Sequence, residues 1–231
     1  MNDRWSPARV AAAIVLAAWA ALFWFVLMSH RTSLYLSGRT AWLVPLGAVL
    51  TTIAALGRLA SARVPRPEPL SPRETLMFGV IALPVVVLLA LPPATLGSYA
   101  VGRRSNASGI AASARIVAGP IDFVDIAAAR SVKTAAADLR ARAGERVTLE
   151  GFVTLDEGET DRFQLTRFVI TCCVADATIS YVTVVDAPPG AFEDDDWVRV
   201  TGTMYPLGAD ILIDADTVEP IPPPDDPYLT P

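Results

Sequence analysis

The pattern of apolar and polar positions divides the chain into two parts. The first part holds three uncharged apolar runs, at 10–28, 40–57 and 76–93. Each run is close to the ~20 residues that an α-helix needs to cross a bilayer. From residue 146 onward, apolar and polar residues alternate with period two, which is typical of half-buried β-strands. The pattern predicts a membrane-anchored α + β protein, with three transmembrane helices followed by a small β domain.

The first apolar run could instead belong to a cleaved signal peptide, because Arg4 and Arg9 give it a positively charged start. The run is longer than the apolar core of a signal peptide, and a second apolar run follows closely. We therefore assign residues 1–95 to a membrane domain that stays attached to the rest of the chain.

Charge differs between the two parts and predicts an orientation. Residues 1–104 carry a net charge of +7 and residues 105–231 a net charge of −12. Six Arg lie on the side of the N-terminus and of the loop between the second and third runs, against four on the other side. By the positive-inside rule, the N-terminus is cytoplasmic and the C-terminal domain extracytoplasmic. The acidic domain would repel phosphate backbones, so nucleic acid is not expected as a partner.

A linker rich in Ser, Gly and Ala is predicted at 96–119, followed by a soluble domain at 120–219. One or two short helices open this domain. Its strands are predicted at 146–153, 163–174, 179–185, 197–205 and 211–218. Gly151 and Gly202, inside the first and fourth strands, favour the strong coiling of an OB-like barrel. The Pro-rich tail at 220–231 lacks apolar periodicity and is predicted to be disordered.

The candidate chemistry lies in the third quarter of the β domain. Cys172 and Cys173 are the two cysteines of the chain and are adjacent. In a continuous strand their side chains would point to opposite faces. A disulfide between neighbours would be strained, and no third cysteine exists to pair with either. Three hypotheses stay open: small apolar side chains of a β core, a redox-active thiol pair, and a metal or metalloid site.

The metal hypothesis would add Asp176 to the two thiolates, with Asp214 or Asp216 as further ligands. The cofactor is otherwise unknown, a thiophilic metal ion being the candidate. Arg167 begins the same segment. It could form an ion pair at the barrel rim, or a pair with a carboxylate that shapes a pocket beside the thiols.

We find no nucleophile elbow, phosphate loop, zinc-protease motif or dinucleotide fingerprint in the sequence. No catalytic constellation is therefore predicted, and the chain is not expected to be an enzyme.

Three sequence strings resemble a bacterial family of small membrane proteins: Pro-Pro-Ala-Thr-Leu-Gly-Ser at 92–98, Gly-Phe-Val at 151–153, and Arg-Phe-Val-Ile-Thr-Cys-Cys-Val-Ala-Asp-Ala at 167–177. Members of that family are described as one subunit of a two-component permease. The resemblance implies N-terminal spans, a C-terminal β domain and a larger polytopic permease as partner. It also directs attention to Arg167, Cys172, Cys173 and Asp176.

The leading hypothesis is an accessory subunit of a permease in the bacterial cell membrane, in contact with lipid. Its soluble domain would present the Cys-Cys segment to a substrate or to the permease. The alternatives are an extracytoplasmic protein that handles a metal, a metalloid or thiols on its own, and an anchored structural β-module.

Overall fold

The computed structural model describes residues 4–91, 95–103, 119–155, 162–188, 190–208 and 210–231. The chain forms two compact units, one of Met1–Thr32 with Gly38–Ala94 and one of Ser33–Ser37 with Thr95–Pro231. The first unit contains helices, and the second is built around a β-sheet. The short loop segment Ser33–Ser37 thus packs with the second unit although it lies between helices of the first.

The first unit contains three long helices, α1 (Pro7–Met28), α2 (Leu43–Ala60) and α3 (Pro72–Ala90). All three are long and apolar enough to cross a membrane, as the sequence predicts. Helix α3 begins four residues before the predicted start because Ser71 and Glu74 form a capping box. The proline pair predicted to end this span, at 92–93, lies outside the described residues.

Most apolar side chains of this unit remain uncovered by protein. Helix α1 packs against both α2 and α3, and the Trp19 indole N–H donates to the Ile81 carbonyl at 3.1 Å. Along α3, only Val85 is buried. Exposure of this much apolar surface to water is unfavourable, whereas contact with acyl chains or with other helices is favourable.

The N-terminus and the loop between α2 and α3 are joined by a two-stranded ribbon, in which β1 (Arg4–Trp5) pairs with β2 (Arg63–Val64). The Arg9 guanidinium also donates to the Ser61 carbonyl at 2.9 Å. These contacts place together the two segments whose arginines were counted on one side of the membrane.

The second unit is a closed five-stranded barrel, which confirms the predicted small β domain. Its strands are β3 (Arg146–Thr154), β4 (Arg162–Val169), β5 (Thr178–Val185), β6 (Trp197–Leu207) and β7 (Asp210–Pro220). They follow the order β3-β6-β7-β5-β4, and pairing of β3 with β4 closes the ring. All neighbours are antiparallel except β5 and β7, which are parallel.

Two glycines allow the barrel to close. A Cβ at Gly151 would lie 2.6 Å from the Thr166 carbonyl oxygen, and one at Gly202 would collide with the Asp214 carbonyl oxygen. Gly202 also sits at a β-bulge between β6 and β7. At both glycines singled out from the sequence, the neighbouring strand therefore lies too close for a side chain.

Two short helices precede the barrel, as predicted: α5 (Phe123–Ser131) and α6 (Lys133–Ala141). Phe123, Ile126 and Leu139 join the apolar interior, and the Ser180 hydroxyl donates to the Phe123 carbonyl at 2.8 Å. A further helix, α4 (Ser98–Val101), lies within the predicted linker. The remainder of that linker at 104–118, and the turn expected at 156–159, lie outside the described residues.

The prediction of a disordered tail at 220–231 is wrong, because part of this segment pairs with the barrel. Residues Tyr228–Leu229 form strand β8, which pairs in parallel with the end of β4. Tyr228 is buried in an aromatic cluster with Phe152, Phe168 and Trp197. A lone aromatic in a Pro-rich stretch carries no periodicity, so its burial against β4 could not be anticipated from the pattern.

Candidate thiol site

The two cysteines do not lie in a strand, contrary to the expectation that their side chains point to opposite faces. Strand β4 ends at Val169, and a short 3-10 helix follows at Val174–Asp176. The cysteines occupy the loop between these elements. Their Sγ atoms are 3.7 Å apart, and they are not joined in a disulfide. Cys172 is exposed and Cys173 is half-buried.

The Asp176 carboxylate stabilises the conformation of this loop. Its two carboxylate oxygens accept hydrogen bonds from the backbone N–H groups of Thr171 at 3.0 Å and Cys172 at 2.8 Å. The carboxylate therefore satisfies the N–H groups of two successive residues just after the end of β4, and neither is left for a strand neighbour. The same contacts bring the carboxylate beside the thiols.

Electrostatics keep the Cys172 thiol protonated. A hydrogen bond to Asp176, and then one to Cys173, raise the pKa of Cys172 to about 12. For Asp176, partial burial raises the pKa, but hydrogen bonds from the Cys172 thiol and from the loop backbone together lower it. The loop therefore pairs an ionised carboxylate with a neutral thiol, and Cys172 is a poor nucleophile at neutral pH.

One ligand atom from each of Cys172, Cys173 and Asp176 can be chosen so that all three lie within 4.8 Å of one another. The structure thus brings together the three residues singled out as metal or ligand candidates. Asp214 and Asp216, considered as further ligands, are engaged elsewhere. Asp216 forms an ion pair with Arg146 at 3.1 Å, and the Asp214 carboxyl lies beside that of Asp186.

Arg167 is not placed with the thiols. Only 5% of it is exposed. Its guanidinium donates to the carbonyls of Asp226 at 3.0 Å and Glu150 at 3.4 Å, and it lies over the Trp197 ring at 4.9 Å. Asp176 is not among its contacts in the described part of the chain. Burial lowers the pKa of this arginine, and its role is to hold the tail against the barrel.

The sequence interpretation missed the segment Ser33–Ser37, which pairs with the thiol loop. Leu36 and Cys173 form an antiparallel bridge. The backbone N–H of Ser37 donates to the Cys172 carbonyl at 3.1 Å, and that of Val174 to the Tyr35 carbonyl at 2.9 Å. The signal was a short period-two alternation, Ser-Leu-Tyr-Leu-Ser, inside a loop assigned only to the connection of two spans.

These features define a class of protein: three helices of membrane-spanning length in one chain with a closed β-barrel domain, which carries an exposed thiol and a half-buried thiol beside a carboxylate. Residues 128–231 match the family model of the DUF1980 C-terminal domain, to which this part of the chain is similar. The match starts within α5 and covers α6, the whole barrel and the tail. No curated protein matches the chain.

Proposed function

We propose that the chain is a non-enzymatic accessory subunit of a membrane permease. Three helices anchor it in the bacterial cell membrane, and its OB-like domain presents the Cys172–Cys173 loop to a thiophilic substrate or to the permease. The observation that carries the proposal is the cluster of the exposed Cys172 thiol, the half-buried Cys173 thiol and the Asp176 carboxylate, in a chain that also has three helices of membrane-spanning length.

The uncovered faces of the helices support a partner within the membrane. A Cβ added at Gly57 on α2 or at Gly79 on α3 would meet no heavy atom within 4 Å. Small residues on open helix faces allow another helix to approach closely. A larger polytopic permease, as in the family that the sequence resembles, supplies such helices, and lipid covers what the permease leaves.

The loop between α1 and α2 supports the three-span arrangement. Segment Ser33–Ser37 belongs to the barrel unit, so this loop lies on the same side of the bilayer as the barrel. Three crossings place those two parts of the chain on one side. The excess of Arg on the opposite side supports the proposal that this side is extracytoplasmic.

Co-purification from native membranes tests the proposal. The tag belongs at the N-terminus, because Tyr228 near the C-terminus is buried. In mild detergent we expect a larger polytopic membrane protein at fixed stoichiometry, identified by mass spectrometry. The variants Gly57→Leu and Gly79→Leu place a bulky side chain where an added Cβ meets no heavy atom within 4 Å, and at least one should reduce recovery of the partner. Recovery of the tagged chain alone from wild-type membranes would contradict the proposal.

A second candidate is a stand-alone extracytoplasmic protein that handles a metal or metalloid, favoured by the thiol geometry itself. It predicts bound metal in the purified full chain without any co-purified protein. Elemental analysis of the wild type beside the Cys172→Ser variant tests this candidate. A full chain that purifies with neither a partner protein nor a bound metal would contradict both functions.

A further inference from the structure

We propose that Cys172, Cys173 and Asp176 form an exchangeable site for a tetrahedral, thiophilic divalent cation, for which Zn²⁺ is the probe. The inference rests on the thiol-presenting role proposed above and names the substrate class that the loop accepts. It is carried by the separation of the sulfur atoms, by the number of donors and by the backbone contacts that hold the loop.

The sulfur separation selects the coordination geometry. Zinc–thiolate bonds of about 2.3 Å at tetrahedral angles place two sulfurs about 3.8 Å apart. The Sγ atoms of Cys172 and Cys173 are 3.7 Å apart. A linear two-thiolate complex with bonds of the same length would need about 4.6 Å. The separation of the two sulfurs therefore matches one edge of a tetrahedron and is shorter than a linear ion with such bonds requires.

The donor set indicates exchange rather than permanent binding. Structural zinc sites are closed by four protein ligands. Here one carboxylate joins the two thiols, and Cys172 is exposed. With the ligands that the described residues supply, at least one position stays open to water or to a donor from another molecule. Binding replaces two thiol protons, which pass to the solvent, so the ion can be taken up and handed on without redox chemistry.

Segment Ser33–Ser37 positions the sulfurs. Ser37 is 1% exposed, and its hydroxyl donates to the Thr171 carbonyl at 2.9 Å. Its backbone N–H donates to the Cys172 carbonyl at 3.1 Å. The loop is therefore fixed from one side by Asp176 and from the other by Ser37, which makes Ser37 a positioning residue of the site.

The test is a titration of the full chain, reduced and in mild detergent, with Co²⁺ as spectroscopic probe and Zn²⁺ as competitor. We expect one Co²⁺ per chain, with a thiolate-to-cobalt charge-transfer band and the intense visible bands of a tetrahedral ion, both removed by Zn²⁺. Each of Cys172→Ser and Cys173→Ser should weaken binding by more than about 100-fold, beyond the effect of outer-shell changes. Ser37→Ala should weaken it by about 10-fold and alter the charge-transfer band.

Asp176→Asn replaces the carboxylate ligand and should also weaken Co²⁺ binding. Asp138→Asn, on α6, is the matched control and should leave the titration unchanged. Binding of Cu⁺ with no affinity for Co²⁺ or Zn²⁺ would overturn the inference, as would octahedral Co²⁺ spectra or a titration insensitive to both cysteines. None of these results alters the outcome of the co-purification, so the inference and the proposed function fail separately.

Discussion

The two ends of segment 167–176 use charged and polar side chains in opposite ways. At one end, Arg167 is buried, lies over Trp197 and donates to backbone carbonyls. At the other end, Asp176 accepts from backbone N–H groups and leaves Cys172 exposed. One end fastens the C-terminal tail to the barrel, and the other shapes a loop around two thiols.

The difference shows that closeness in sequence does not make one site of these residues. A buried side chain whose partners are main-chain carbonyls contributes to stability, because its removal leaves a cavity and unpaired acceptors. An exposed thiol whose partner is a carboxylate contributes little packing and remains accessible to a ligand. The comparison predicts that substitutions at the two ends affect different measurements.

The largest effect is expected at the buried end. Arg167→Ala removes two hydrogen bonds and the packing on Trp197, and should lower the free energy of unfolding by about 3 kcal/mol. For a chain of this size that is a fall in melting temperature on the order of 10 °C.

Arg199→Ala is the matched control. Arg199 is exposed and pairs with Glu150 at 2.7 Å, so its loss should cost less than about 1 kcal/mol. Equal melting temperatures of the Arg167→Ala and Arg199→Ala variants would contradict the structural assignment of Arg167.

The sequence predicts the membrane-length helices, the five strands and the two closing glycines because each is a local pattern of period or residue type. The end of β4 was not predictable in this way. Residues 170–174 are β-forming and, apart from Thr171, apolar. The strand nevertheless ends at Val169, and Asp176 accepts from the N–H groups of Thr171 and Cys172. The bridge to Leu36 joins positions far apart in the sequence. Local periodicity cannot detect such a contact.

A smaller effect is expected from changing the carboxylate at the thiol end. In a Cys173→Ser background, alkylation of Cys172 should rise with pH from 7 to 10 without a plateau, because the hydrogen bond to Asp176, the largest cause of the raised pKa of this thiol, remains. A thiolate forms as pH rises toward the pKa, and Asp176 holds the proton on sulfur. Asp176→Asn should therefore lower the pKa of Cys172 and shift the curve to lower pH.

The two variants can be compared at a fixed pH below the pKa of Cys172 in each of them. The alkylation rate should then rise about threefold for each unit by which the pKa falls, since the thiolate fraction grows tenfold and its nucleophilicity declines. Initial rates measured by mass spectrometry with the same alkylating reagent give the comparison. An unchanged pH profile would show that Asp176 shapes the backbone alone and does not act on the thiol.

The smallest effect is expected for Cys172→Ala, which should leave the melting temperature unchanged within error. The side chain is exposed, and the hydrogen bond from the Cys172 backbone N–H to Asp176 survives the substitution. The result distinguishes two of the three hypotheses left open by the sequence, a core side chain and a ligand-binding thiol. A thiol that only filled a β core would, when truncated, destabilise the domain as Arg167→Ala does. If the thiol serves a ligand, the Cys172→Ala variant should lose cation binding while its melting temperature stays constant. A large fall in melting temperature would instead show that Cys172, like Arg167, has a structural role.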